Sequence, residues 1–208
     1  MTDRLEFRGK WSDIIGPIWL MILAGIFTLG IAVPWAFISY RKRIMHLTYL
    51  QNQPLDYDGR GGEYFGELLI GFLLTLVTLG LYSTLGFYQA RLLRYDVNHT
   101  ILPDGRRLDF QIHGIDFFGQ YLLIGFLSAI TLGIYTFWGY ARMRRFILEH
   151  TFVDQRPLRF DGTGGQFLGN SLVIFLLSVV TLGIYGILCA GNARIIHWDG
   201  EHTIVPIN

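Results

Sequence analysis

Cysteine and charge are both scarce in this sequence. The 208 residues include one cysteine, Cys189, which excludes an intrachain disulfide and a cysteine-based metal site. Charged residues make up 16% of the chain, whereas about a quarter of an average soluble domain is charged. The formal net charge is +1, so nothing in the electrostatics favours nucleic acid as a partner. What remains is an apolar chain, with 51% hydrophobic residues.

Catalytic motifs are absent as well. The chain contains no HExxH, G-x-S-x-G or CxxC pattern. Two glycine-rich runs, 59–62 and 162–165, precede predicted helices, where free backbone N–H groups can hold an anion. Neither run is followed by the lysine of a P-loop, and tight turns with positive φ explain both. We therefore predict no enzyme, no catalytic residue, no metal ligand and no cofactor.

The apolar residues gather in four blocks that contain no charged residue, at 14–40, 68–88, 117–140 and 167–190. A helix needs about 20 residues to cross the hydrocarbon core of a bilayer, and each block is at least that long. Backbone polar groups in lipid must be satisfied within the segment, which favours helix. The predicted fold is a membrane all-α protein with four transmembrane helices and small β-hairpins between them.

A Thr-Leu-Gly motif lies near the middle of every block. The favoured interpretation is helix packing through small residues, and the alternatives are a mid-membrane hinge or a pore-lining ring of hydroxyls. A different possibility also stays open, in which each block is a re-entrant pair of short helices that turns at Leu-Gly. The candidate residues are Thr28, Gly30, Thr78, Gly80, Thr131, Gly133, Thr181 and Gly183.

The motifs recur about every 50 residues, within a longer period of about 103. We predict two halves, 1–103 and 104–208, each with two helix-plus-hairpin units, in one membrane domain. A β-prone run and a turn follow the first three blocks, as expected for β-hairpins. The fourth block lacks this turn, so we predict that Leu5–Gly9 pairs antiparallel with Thr203–Ile207.

Arginines follow each block and are predicted to contact lipid headgroups. With alternating spanning helices the basic residues divide eight to nine between the two sides. That small difference favours 41–67 and 141–166 in the cytoplasm and both ends of the chain outside. The candidate headgroup contacts are Arg41, Arg43, Arg91, Arg94, Arg142, Arg145 and Arg194.

Three histidines, His99, His150 and His202, each precede a threonine at equivalent places. A metal site would need them to converge, and spanning helices would divide them between the two sides of the membrane. The favoured interpretation is a structural role near the helix ends.

Several short motifs together resemble the YjgN family of bacterial inner-membrane proteins. They are Phe7-Arg8-Gly9, Thr28-Leu29-Gly30-Ile31, Pro34-Trp35, the pair Arg41 and Arg43, Asp58-Gly59-Arg60-Gly61-Gly62 and Phe160-Asp161-Gly162-Thr163-Gly164-Gly165. Ala32 and Val33 depart from the tyrosine of the family pattern. The resemblance implies a multi-pass protein of the bacterial inner membrane, and it implies no activity.

Taken together, these features favour a non-enzymatic, oligomeric scaffold or partner-binding module in the inner membrane. A small channel or transporter with a path lined by Thr and Ser is the first alternative, and a lipid-interacting membrane enzyme is the second. The expected partners are the lipid bilayer and further copies of the chain; a small-molecule substrate stays unknown.

Overall fold

A computed structural model describes residues 2–112, 114–188 and 190–207, and of Ile187 only the backbone. Cys189 therefore lies outside the described residues. The described residues form ten helices, which follow one another in groups of two or three between short strands. The helices are α1 Trp11–Phe27, α2 Val33–His46, α3 Gly61–Val77, α4 Leu81–Thr84, α5 Phe87–Asn98, α6 Gly114–Ile130, α7 Thr136–Glu149, α8 Gly164–Val180, α9 Ile184–Ile187 and α10 Ala190–Glu201.

Each apolar block is split at its Thr-Leu-Gly motif, and the two parts fold back on each other as a helical hairpin. In the third block, Thr131 Oγ1 donates to the Leu127 carbonyl at 2.8 Å and accepts the Tyr135 N–H at 2.9 Å. Leu132 and Gly133 follow with φ of 50° and 89°, in the left-handed region, which ends the helix. The other three motifs make the same turn.

The prediction of continuous helices over 14–40, 68–88, 117–140 and 167–190 is therefore wrong. The re-entrant alternative describes the shape of each block. Pro34 lies in the first turn of α2, where its missing N–H costs nothing, and does not kink a longer helix. None of the described helices is both long and apolar enough to span a membrane.

Short strands close the base of every hairpin. They are β1 Thr2–Arg4, β2 Glu6–Phe7, β3 Thr48–Leu50, β4 Gln53–Pro54, β5 Asp56–Tyr57, β6 Thr100–Ile101, β7 Asp109–Phe110, β8 Thr151–Val153, β9 Arg156–Pro157, β10 Arg159–Phe160 and β11 Thr203–Pro206. An aromatic residue before the first helix pairs with a threonine after the last one, and the pairs are Phe7–Thr48, Tyr57–Thr100, Phe110–Thr151 and Phe160–Thr203. All four threonines are buried.

The predicted turns link one hairpin to the next. Gln51 and Asn52 adopt left-handed φ between β3 and β4, as do Asp154 and Gln155 between β8 and β9. Paired left-handed residues are typical of a two-residue β-hairpin. The third link, at 103–106, is a turn with Gly105 at φ 84°.

The four hairpins form a closed ring. Helix α2 contacts α3, α5 contacts α6, α7 contacts α8, and α10 contacts α1. Strands β1 and β11 also pair, so the predicted pairing of the two ends is present. Its register differs: Thr2–Arg4 pair with β11, and of the predicted Leu5–Gly9 only Leu5 bonds to it, through its N–H to the Thr203 carbonyl. Glu6 and Phe7 instead pair with β3 and close the first hairpin.

This ring places the ends of the chain and all connections together. Strand β11 pairs with both β1 and β10, and β10 belongs to the connection 141–166. The prediction that 141–166 and the ends lie on opposite sides is therefore wrong. Each hairpin contacts the next through its last long helix and the first helix of its neighbour.

The hydrophobic core lies at the base of this ring. It combines Leu50 and Leu102 from the first predicted half with Leu158 and Val205 from the second, all at most 3% exposed. Residues from both halves thus share one core, and Leu50 and Val205 belong to the strands themselves.

Candidate functional site

Three features of the ring could carry function: the exposed hairpin turns, the arginines of the base, and a cavity on the ring axis. The turns are the most apolar. Their central leucines, Leu29, Leu79, Leu132 and Leu182, are 91–93% exposed. Each is flanked two residues before and after by another exposed apolar side chain, and these are Phe27, Ile31, Val77, Leu81, Ile130, Ile134, Val180 and Ile184. We call these twelve side chains the apolar tips.

The candidate packing residues lie in these turns. A Cβ added at Gly30, Gly80, Gly133 or Gly183 would meet nothing within 4 Å, so these glycines do not pack helices together within the chain. Their role is the left-handed backbone of the turn, with φ of 87–90°. Thr28, Thr78, Thr131 and Thr181 are likewise used for the turn itself. The hinge interpretation stays a prediction.

A polar contact crosses three of the hairpins at one level. Arg91 forms an ion pair with Glu67, Arg142 Nε donates to Gln120 Oε1 at 2.9 Å, and Arg194 Nε donates to Asn170 Oδ1 at 2.9 Å. From these contacts to the turns, no charged residue occurs in any hairpin. Glu67 precedes Leu79 by twelve residues, so the uncharged part of this hairpin is at most about 18 Å long.

Most of the predicted headgroup arginines contact protein groups. Arg94 donates to the Ile112 carbonyl at 2.6 Å, and Arg145 donates to the Phe160 and Gly162 carbonyls at 3.3 and 3.4 Å. Both arginines therefore hold the loop that leads into the next hairpin. Arg43 is exposed at the base, and Arg41 points into the axial cavity. For all seven arginines, contact with lipid headgroups stays a prediction.

The axial cavity has a volume of about 390 Å³ and is lined by all four hairpins. Its wall follows the last turns of α2, α5, α7 and α10, above the four buried threonines. Seven residues before each threonine stand Arg41, Leu93, Arg144 and Ile196, and four residues before it stand Ile44, Asp96, Ile147 and Asp199. The first and third hairpins thus contribute arginines, and the second and fourth contribute aspartates.

Each arginine pairs with an aspartate of the next hairpin. Arg41 Nε donates to Asp96 Oδ1 at 2.6 Å. Arg144 contacts both oxygens of Asp199, with Nε to Oδ1 at 2.6 Å. The four side chains are between 16% and 26% exposed. Buried charges need such partners, because an unpaired one would lose its hydration without compensation.

The protonation states follow from this pairing. Burial alone would lower the pKa of Arg144, but Asp199, Tyr140 and the more distant Asp96 raise it, and its net pKa lies above the ordinary value. Both ion pairs line the same cavity. Burial, with Asp96 second, strongly raises the pKa of Tyr57, whose ring lies 5.8 Å from the Arg41 guanidinium carbon. Arg144 therefore stays charged and Tyr57 stays neutral.

These pairs were not predicted, although the sequence carries a signal for them. Arg41 and Arg144 are 103 positions apart, and so are Asp96 and Asp199. The long period of the sequence therefore repeats both charges. The arginines were assigned to headgroups because they follow apolar blocks, and the aspartates were not singled out.

The glycine-rich runs and the histidines serve the fold. No glycine of 59–62 or 162–165 has a positive φ, so the predicted turn geometry is wrong. The glycines allow close approach: a Cβ at Gly164 would lie 2.6 Å from the Trp138 backbone. His99, His150 and His202 each place Nδ1 within 2.8 Å of the carbonyl four residues earlier, which fits the predicted structural role. Among the described residues, no His, Cys, Asp and Glu side chains group as metal ligands.

Comparison with known proteins gives two matches. The family described as "Bacterial protein of unknown function (DUF898)" matches residues 52–126 and 106–169, which together cover more than half of the chain. The inner membrane protein YjgN of Salmonella typhimurium (strain LT2) is 35% identical over 77 residues. That alignment covers 37% of this chain and 20% of YjgN, so the chain matches about a fifth of that relative's length. No solved structure matches this chain.

Proposed function

This chain belongs to the DUF898 family of bacterial proteins of unknown function, and we propose that it is a non-enzymatic module of the inner membrane. In this proposal the four hairpins insert their apolar tips into one leaflet. The polar base stays in water as an oligomeric scaffold or partner-binding platform. The similarity to an inner membrane protein supports the inner-membrane location.

The observation that carries the proposal is the exposure of the apolar tips. Each tip holds three large apolar side chains between 57% and 93% exposed. Burying a Val, Leu, Ile or Phe side chain stabilises by about 1.5–3 kcal/mol, so twelve of them give on the order of 20 kcal/mol before the costs of insertion. Patches of this kind on a protein surface mark membrane or protein contacts.

The length of the uncharged hairpin segments and the positions of the charges define how deeply the hairpins insert. On the second arm of each hairpin, at most twelve residues separate the central leucine of the turn from the next arginine, which is Arg41, Arg91, Arg142 or Arg194. Twelve helical residues measure about 18 Å, against about 30 Å for the whole hydrocarbon core. All 17 basic and all 16 acidic residues lie outside the four apolar blocks. Insertion up to the polar contacts of the hairpins would therefore fill one leaflet and leave the arginines of the base at headgroup level.

Cysteine labelling of the three links between hairpins tests this geometry. In a Cys189→Ala background, single variants Asn52→Cys, Asp104→Cys and Gln155→Cys are labelled with a membrane-impermeant maleimide in spheroplasts and in inverted vesicles. We expect all three to label from the same side. Alternating spanning helices place position 104 opposite to positions 52 and 155, and that pattern would contradict the proposal.

The tips need a separate measurement. Leu79→Cys and Leu132→Cys should resist aqueous labelling and, when carrying an environment-sensitive fluorophore, should be quenched by brominated acyl chains. The matched control is Asp104→Cys, which should be labelled and unquenched. Ready aqueous labelling of both tips in membranes would refute insertion. Ion flux through proteoliposomes would favour the channel alternative over a scaffold.

A further inference from the structure

We infer that the axial cavity is an anion site, in which a phosphate or carboxylate group binds between Arg41 and Arg144. The inference goes beyond a membrane scaffold and does not depend on the depth of insertion. It rests on where the two arginines stand, which of their N–H groups are in use, and what surrounds them.

The two arginines line the cavity from opposite members of the ring. Arg41 belongs to the first hairpin and Arg144 to the third, which are not neighbours in the ring, and both line the same cavity. Each stands three residues closer to the hairpin turns than the aspartate layer, a rise of about 4.5 Å along the helix. The cavity thus has an arginine layer toward the turns and an aspartate layer toward the base.

Hydrogen-bond donors in this layer exceed the acceptors. Arg41 donates only its Nε–H, to Asp96, and Arg144 donates from Nε and Nη2, to Asp199. Both Nη groups of Arg41 and Nη1 of Arg144 thus make no hydrogen bond within the described chain. Both oxygens of Asp199 and one of Asp96 are already occupied. A ligand that supplies acceptor oxygens fits this balance, and planar guanidinium groups are well suited to phosphate and carboxylate.

The walls between the charges are apolar. Leu93 and Ile196 alternate with the arginines, while Ile44 and Ile147 alternate with the aspartates. Ligand cavities commonly combine such apolar walls with a few polar groups that fix orientation. The anion is therefore expected to carry an apolar part, as a lipid phosphate or a short fatty acid does.

Stability does not account for the four charges. Buried ion pairs gain little over well-packed apolar residues, and replacing them by such residues is often neutral or stabilising. Apolar residues do occupy the equivalent positions of the second and fourth hairpins, where Leu93 and Ile196 stand in place of the arginines. Charges kept in a cavity at this cost favour a binding role.

Calorimetric titration of the detergent-purified full chain tests the site with three probes: inorganic phosphate, hexanoate and dihexanoyl phosphatidate. The variants are Arg41→Gln with Asp96→Asn, and Arg144→Gln with Asp199→Asn. Each removes a whole ion pair, so that no unpaired charge is left buried. Arg156→Gln, an exposed arginine on β9, is the control for surface charge. Thermal unfolding of each variant verifies that it is folded.

We expect one equivalent of at least one probe to bind, with an affinity at least tenfold lower in either paired variant and unchanged in Arg156→Gln. Phosphate binding as tight as phosphatidate would identify a free anion as the ligand, whereas tighter binding of phosphatidate or hexanoate would identify an amphiphile. No binding of any probe, wild-type affinity in both folded paired variants, or an equal loss in Arg156→Gln would each overturn the inference.

Discussion

The ion pair of Arg144 and Asp199 allows a quantitative test of how the axial cavity is built. Replacing Arg144 by Gln leaves Asp199 as a buried charge with no partner, and breaking a fully buried pair in this way costs about 3–5 kcal/mol. The two side chains are 26% and 21% exposed, so water offsets part of that loss. We expect each single variant, Arg144→Gln or Asp199→Asn, to lose about 2–3 kcal/mol of unfolding free energy.

The double variant should behave differently. With both charges removed, Gln and Asn remain as neutral groups that hydrogen-bond each other, and the loss should be about 1 kcal/mol. A double-mutant cycle by denaturant unfolding in detergent micelles would measure the difference as a coupling energy of about 3 kcal/mol or more. The exposed pair Arg107–Asp58, at 56% and 36%, is the matched control and should give less than about 1 kcal/mol. Additive losses at Arg144 and Asp199, or equal coupling in the two pairs, would refute the reasoning.

Three further predictions address the base of the ring. Gly164→Ala should lower the unfolding temperature, because its Cβ would lie 2.6 Å from the Trp138 backbone, whereas Gly165→Ala, with nothing within 4 Å, should not; equal effects would contradict this packing. Burial raises the pKa of Tyr64 to about 12. The contribution of the neutral Tyr64 hydroxyl to folding stability is therefore complete below pH 10 and is lost as the pH rises through 12. Absorbance at 295 nm should show Tyr64 ionising at higher pH than the exposed tyrosines. A circular permutant that joins residue 207 to residue 2 through a short glycine-rich linker and opens between Asn52 and Gln53 should fold, because β1 and β11 already pair. A second permutant, opened inside α3, is the control and should fail to fold. Failure of the first permutant to refold would contradict ring closure.

The apolar blocks were predicted correctly, but unbroken helices were favoured and the turn at Leu-Gly was only the alternative; the reason lies in the Thr-Leu-Gly motif. Hydropathy counts Leu132 as apolar and gives no sign that its backbone is left-handed. The signal was the order of residues: a hydroxyl that satisfies the last turn, then a glycine at the position where helices end. Read as a helix C-terminus instead of a packing motif, the same three residues predict the hairpin. The β-turns could be predicted, because the residue types of a two-residue turn indicate its backbone conformation.

The cavity required information of a different kind. The 103-residue period places Arg41 with Arg144 and Asp96 with Asp199, but periodicity alone does not say which charges meet. Under alternating spanning helices, Arg41 and Asp96 lie on opposite sides of the membrane; in a closed ring of hairpins, α2 and α5 bring them to 2.6 Å. The pairing of Arg41 with Asp96 therefore depends on the hairpin turn, which hydropathy does not reveal.

If the Thr131 hydroxyl is removed by Thr131→Val, the turn loses two hydrogen bonds, worth about 1–2 kcal/mol together. We expect that loss to appear in the unfolding free energy and not in the affinity of the axial cavity for its anion, since Thr131 precedes Arg144 by 13 residues along the hairpin. A parallel loss of anion binding in a folded Thr131→Val variant would show that the tips and the cavity are coupled, and would contradict the independence assumed here.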